Sequence, residues 1–599
     1  MYGLQDRAEM NAVSSLFRLH DWPRLAGGLL LTLLPALAAA QPMPGPGAVE
    51  LARRNAQAHE TRTRSPVEFQ VFRTVQEARA ADGTRLALTS LNPGANGWFL
   101  LELFRPGQAR ETYHIENPDP RRVTIALTEG PDPALSLTGT GAQTLCRPWA
   151  GDAPGLDRAR GTGLPFAPLC DGRLFLRNPV AGTRTSLERT AEFLRDNMVF
   201  GESLVGLVKS TLYKDRYLES GAVLDGADPG RAAAALGRAR LADHPVMYTT
   251  MTFDLVGASP ERMEMGAWYA VEGAPGIYAS ALQPRMIDPA ILRGDSGANA
   301  LDAVEGRADV YLVGFDLSHF EIGYETGTEH PRLDWSPRPS GAGRNWSIPG
   351  PDGFARPDPL VPTGMLNPDQ AARVAATFTG GFKREHGAFR FGEMATTNHG
   401  HHYGFVVHGT VLSRLHPGLA TFHVLADGTV GMTTWDEATA PPMRELRFAR
   451  QNGVALVVRD PETGRSVPGP LVRQWLPGNW SGSAEAELRT LRAGACLRPG
   501  PNGPILVYAW FSAATPSAMA RVFQAYDCDY AMLLDMNAME HTYMALYTAG
   551  AGGGIDTRHL VAGMAQIDAR RRDGSRVPRF VGSADNRDFF YLLRRETRE

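Results

Sequence analysis

Residues 529–543 read Asp-Tyr-Ala-Met-Leu-Leu-Asp-Met-Asn-Ala-Met-Glu-His-Thr-Tyr. The apolar run from Tyr530 to Leu534 contains no turn residue and reads as a strand buried on both faces. Polar groups appear abruptly where it ends, with Asp535, Asn537, Glu540 and His541 crowded together. A carboxylate at the tip of a buried strand is partly desolvated, and open α/β sheets tend to bind ligands in the crevice outside such strand ends. The plainer alternative is that Asp535 caps the following turn through its side chain.

A chain of 599 residues is too long for one hydrophobic core, so two or more domains are expected. The formal charge of −3, with both signs interspersed, gives no sign of a nucleic-acid surface, and no nucleic-acid partner is expected. The 64 glycines and 44 prolines predict many turns and long loops rather than a helical bundle. Residues 25–40 form a short apolar segment, preceded by Arg18 and Arg24 and ending in Ala38-Ala39-Ala40. A basic flank, a short apolar core and an Ala-x-Ala end describe a secretory signal peptide, so cleavage after Ala40 and a secreted or periplasmic product with no stable membrane span are expected. In an oxidising compartment the four cysteines, Cys146 near Cys170 and Cys496 near Cys528, suggest two disulfides of open connectivity. Neither group has the spacing of a zinc site.

Organisation follows from the turn signals. Residues 1–40 are the signal peptide and 41–63 a linker. Residues 64–182 carry short β-rich runs separated by Asn-Pro, Pro-Gly and Asp-Gly turns, as in a small antiparallel sandwich or barrel. Residues 183–244 form a helical connector opened by the capping box Thr185-Ser186-Leu187-Glu188. Residues 245–599 form the last domain. Within it Asn367 and Pro368 mark a helix start, Asp427-Gly428 a hairpin turn, and a helix is expected from about Thr515 to Tyr526. The fold class is therefore read as α+β: a C-terminal domain of mixed β-sheet and helix, an N-terminal β-rich domain, and bracing helices.

The order of pieces in residues 245–599 resembles the phosphodiester glycosidase domain family. The carriers are a glycine-rich turn after a helix, the hairpin GFVVHGTVLS…LADGTVGMTTW, an Arg-led strand, a helix, the strand ending in LLDMN, and the terminal Asn586-Arg587-Asp588-Phe589-Phe590. The family's Asn-Gly-Gly-Phe turn falls on Thr379-Gly380-Gly381-Phe382, followed by Lys383, and its arginine before the core strand falls on Arg492. Of the family's Asp-Gly-Gly-Gly-Ser signature only Asp535 survives; Met536, Asn537, Ala538 and Met539 replace the rest. The resemblance implies an exported hydrolase of a glycosyl-1-phosphodiester bond in envelope or extracellular glycans. The Gly380-Gly381 backbone, Lys383 and Arg492 would hold the phosphodiester, with Asn537 beside them, and Asp535 with Glu540 or His541 would act on water or the leaving group. If Met536 lies in a strand, Asp535 and Asn537 share a face and Met536 packs away from it.

The partner so implied is a glycan or sugar phosphate. The alternative is a non-catalytic glycan- or envelope-binding protein on the same scaffold, which the loss of the Gly-Gly-Gly-Ser run favours. A third option is a divalent-metal-dependent hydrolase that uses His386, His399, His401, His402 and His408. The segment has no recognised zinc spacing and reads more simply as a solvated loop, so no cofactor is assigned.

Overall fold

The computed structural model describes residues 66–68, 70–139, 141–151, 154–183, 223–224, 236–294, 297–328, 358–381, 404–413, 415, 417–473, 489–549 and 555–596. All of them fall in one contact unit, 45–599. The Tyr530–Met536 strand has seven buried residues, as its sequence requires, and lies inside an eight-stranded sheet between Thr490–Gly500 and Val457–Arg459. Beyond Thr490–Gly500 the sheet continues through Gly503–Ala514, Val310–Asp316 and Ile277–Leu282.

A five-stranded sheet packs against it, in the order Phe320–Glu325, Phe589–Arg594, Val374–Thr379, Met544–Ala549, Ile555–His559. Phe378 of this sheet meets Tyr508 of the first with ring centroids 5.3 Å apart. Phe422 of a second five-stranded sheet meets Phe590 at 4.9 Å, so one apolar core runs through all three layers. The helix Pro516–Ala525 is capped by the Thr515 hydroxyl, which accepts from the Ala518 N–H, and has proline at its first position, as its sequence predicts. All ten of its residues are buried, and Met519 and Phe523 press on Gly494, where an added Cβ would come within 3.1 Å of both.

Upstream, a six-stranded sheet (Thr74–Arg79 through Phe166–Leu169) and a three-stranded sheet (Thr124–Leu127, Leu135–Thr138, Gln143–Cys146) share a separate apolar cluster that includes Leu86, Leu101, Ile125 and Leu137. The cysteines form two disulfides, Cys146–Cys170 and Cys496–Cys528.

The α+β assignment is overturned. The described residues are predominantly antiparallel sheet, every strand ladder among them is antiparallel, and the three α-helices described run five to ten residues. A cap signal fixes where a helical turn can begin and not how far it runs, so start signals read from the sequence overstate the helix content. The start signal at Asn367 is real, with its side chain accepting from the Asp369 N–H at 3.1 Å, but it opens a 3-10 turn, Pro368–Arg373, that leads straight into a strand. The helical pattern after Thr185 and the segment 25–40 lie outside the described residues. No helix among the described residues is long and apolar enough to cross a membrane.

Candidate functional site

At the end of the Tyr530–Met536 strand, Asp535 is 2% exposed. One carboxylate oxygen accepts from Arg587 Nη1 at 2.9 Å and the other from the Met536 N–H at 2.8 Å. Arg587 is fully buried, and its Nη2 lies 2.7 Å from His541 Nε2. The other ring nitrogen, His541 Nδ1, is 2.6 Å from the Met536 carbonyl, which can only accept. Nδ1 therefore carries the proton and Nε2 presents its lone pair to the guanidinium. The result is an acid, a cation and a neutral base joined in one buried chain, with His541, at 9% exposed, nearest the surface. Tyr508 stands close by, its hydroxyl donating to the Thr542 carbonyl at 2.7 Å; burial and the Asp535 charge hold that phenol well above its usual pKa.

The elements that position this chain are themselves braced. The Arg587 N–H donates to Asp585 Oδ1, and Asp585 pairs with Arg579 through contacts of 2.8 and 2.9 Å. Arg579 Nη1 reaches the Glu540 carbonyl at 2.6 Å and so fixes the turn that carries His541. The Gly380-Gly381 turn closes the other side. Gly381 has φ of 139°, and a Cβ there would lie 3.3 Å from the Asp535 nitrogen; one on Gly380 would lie 2.7 Å from Asp588 Oδ2. Glycine lets the two backbones meet. Asp588 is buried too, paired with Arg450 and accepting from the Tyr324 hydroxyl at 2.9 Å.

The residues singled out from sequence divide accordingly. Asp535, His541, Gly380 and Gly381 come together. Arg492 does not join them. It is fully buried on the opposite face, with Nε donating to the Ala514 carbonyl at 2.7 Å and Nη1 against Met536 Sδ at 2.9 Å. Burial lowers its pKa to about 9, an effect the Glu305 charge only partly offsets. Asn537 turns off the strand with φ of 83°, so strand alternation does not set its side chain beside Asp535. Glu540 is 9% exposed and contributes its carbonyl to Arg579. Lys383, His386, His399, His401 and His402 lie outside the described residues.

His408 is far from this cluster in role and surroundings. It is buried beside Trp98 and Phe448, and its pKa is pushed down to about 3 by burial. Its ring nitrogen and the carboxylates of Glu116 and Glu325 offer ligand atoms within 4.8 Å of one another, the spacing a metal ion needs. Arg177 already bridges both glutamates, so a fixed cation serves that donor set and it does not fit a metal.

In the sequence Arg587 and Asp588 stand out only as part of the terminal Asn586-Arg587-Asp588-Phe589-Phe590 run. Two charges directly ahead of the apolar strand Phe589–Arg594 repeat the signal that drew attention to Asp535, and that parity could have found them.

No protein-family model and no curated protein matches the chain. Among solved structures it is similar to the catalytic domain of zebrafish N-acetylglucosamine-1-phosphodiester alpha-N-acetylglucosaminidase, auto-inhibited by its pro-peptide. The identity is 9% and the TM-score 0.28, over 54% of this chain and 85% of that one. A likeness of that size does not place the chain in a family.

Proposed function

We propose that the chain is an exported hydrolase of a glycosyl-1-phosphodiester bond, with Asp535, His541 and Arg587 as its working groups. The observation that carries this reading is the Asp535–Arg587–His541 chain closed by the Gly380-Gly381 turn. Arg587 takes the part that the family resemblance implies for Arg492: a guanidinium fork suits two oxygens of a phosphodiester. With Nη2 of Arg587 drawn to a substrate oxygen, the His541 Nε2 lone pair is free to accept a proton from water, while Nη1 stays on Asp535, which holds the cation. Water then adds across the sugar–phosphate linkage, giving free sugar and a phosphate monoester. Export is supported by the sequence of residues 25–40 and by two disulfides, which persist in oxidising compartments.

A second reading has its own support. Both Asp535 oxygens are engaged and Arg587 is fully buried, which suits a structural ion pair in a non-catalytic glycan- or envelope-binding protein. Release of reducing sugar from a panel of sugar 1-phosphodiesters separates the two. We expect turnover by the unaltered protein and its loss in Asp535→Asn and in His541→Gln, with far-UV circular dichroism unchanged. Undiminished turnover in folded Asp535→Asn would remove the catalytic assignment. Saturable glycan binding with no sugar released would favour the binding protein.

A further inference from the structure

A separate cavity of about 730 Å³ lies where the turn after the Glu111–Glu116 strand meets the edge of the Phe320–Glu325 and Phe589–Arg594 strands. Its wall carries five arginines, Arg121, Arg122, Arg373, Arg447 and Arg595, against three carboxylates, Asp119, Glu321 and Glu596. The balance is two positive charges in excess. Three of the arginines spend their charge on those carboxylates: Arg121 pairs with Glu321, Arg122 with Glu596, and Arg373 reaches Glu321 and Glu596 at 3.6 and 3.7 Å.

The other two do not. Among the described residues neither Arg447 nor Arg595 has a carboxylate partner. Arg447 is the more telling, since it is 8% exposed and lines the cavity, yet its Nε has no hydrogen-bond partner. Burial lowers its pKa, as expected of a cation short of counter-charge. Of the negative groups that act on it, Tyr591 is held in the neutral phenol form by burial, and the carboxylates Glu321 and Asp119 are paired with Arg121, Arg373 and Arg122. Packing over the Phe448 ring at 5.1 Å accounts for the stem and for a small cation–π contribution. A methionine would fill the same space without a buried, unpaired charge, which costs several kcal/mol in general.

We propose that this cavity binds a small phosphorylated ligand, whose phosphate dianion is held by Arg447 and Arg595. The dianion matches the excess of two charges, and the guanidinium fork matches phosphate oxygens. The volume falls in the range of small-molecule pockets and exceeds what a bare phosphate needs, so the phosphate is carried on an organic body. The site uses none of Asp535, His541 or Arg587, so it stands or falls apart from the hydrolase reading.

Calorimetric titration of the full chain with inorganic phosphate, a hexose phosphate and the unphosphorylated hexose tests it. Saturable one-to-one binding of both anions is expected, tighter for the hexose phosphate, with no heat from the hexose. Arg447→Met and Arg595→Ala should each weaken binding at least tenfold. Arg447→Met should melt at the same or a higher temperature than the unaltered protein, and phosphate should no longer shift that temperature. If Arg447→Met does not fold, Arg595→Ala, on the exposed rim, carries the test. Absence of saturable binding, or unchanged affinity in the substituted protein, would overturn the proposal. Equal affinity for phosphate and hexose phosphate would overturn the organic body and leave free phosphate as the ligand.

Discussion

Asp535 and Arg492 end on opposite faces because of a single residue of register. Gly494 pairs with Leu533 and Ala495 with Met532; continued two residues further, that register would set Arg492 opposite Asp535. A bulge between Arg492 and Gly494 moves Arg492 opposite Met536 instead. Cross-strand partners share a face, so one extra residue sends the guanidinium to the thioether and leaves the acid to Arg587. Burial acts at the same scale on His423, which is 8% exposed, with Nδ1 unpartnered and a pKa pushed down to about 4 by desolvation. Its folded pKa lies below the unfolded value near 6.5. Between these values the folded state binds fewer protons, so stability is complete above pH 6.5 and falls as pH drops toward 4. One such group sets a slope of at most about 1.4 kcal/mol per pH unit. Urea unfolding of His423→Gln at pH 7, 5.5 and 4 should show that slope reduced; parallel curves for the two proteins would contradict the assignment.

At the scale of elements, the arginine that meets Asp535 is placed by backbone contact. The chain leaving the Phe320–Glu325 strand runs so close to the Asn586-Arg587 segment that a Cβ on Gly327 would stand 2.1 Å from the Asn586 carbonyl oxygen and 2.5 Å from the Arg587 nitrogen. These are backbone atoms and cannot rotate aside. Gly327→Ala should therefore cost at least the upper end of the usual overpacking penalty, about 3 kcal/mol, and displace Arg587. Chemical denaturation checks the first effect; a substitution costing less than about 1 kcal/mol would show that the two segments can part. Nothing in the sequence around Gly327 announces this, since the contact spans some 260 residues. The Pro516–Ala525 helix is the opposite case: its cap, its first-turn proline and its apolar content are all local, and it forms where they predict.

At the scale of the whole molecule, the N-terminal sheets are tied to the body by Arg177, from the strand Leu174–Arg177. It pairs with Glu116 of its own sheet and with Glu325 of the five-stranded sheet, and it donates to the Val361 carbonyl at 2.8 Å. The three charged groups are buried, so Arg177→Met would leave two carboxylates without their cation. A loss of about 3–5 kcal/mol is expected by chemical denaturation, and a loss below about 1 kcal/mol would show that the seam is held by apolar packing instead. Burial raises the Glu325 pKa to about 7, with the Glu116 charge adding to the rise and Arg177 opposing it, so removing Arg177 raises it further and protonation relieves part of that cost near neutrality.

By itself the sequence determined which runs are buried strands, where the chain turns, where the capped helix starts, and that an acid stands at the end of an apolar strand. Each depends on side chains within a few residues of one another, whose periodicity and turn chemistry act locally. Only the tertiary structure decided that the sheet around Tyr530–Met536 is antiparallel throughout, that the cysteines pair as Cys146–Cys170 and Cys496–Cys528, and that Arg587 rather than Arg492 meets Asp535. Strand direction, register and long-range ion pairs arise when distant segments compete for the same partners, and a bulge of one residue is enough to change which partner wins.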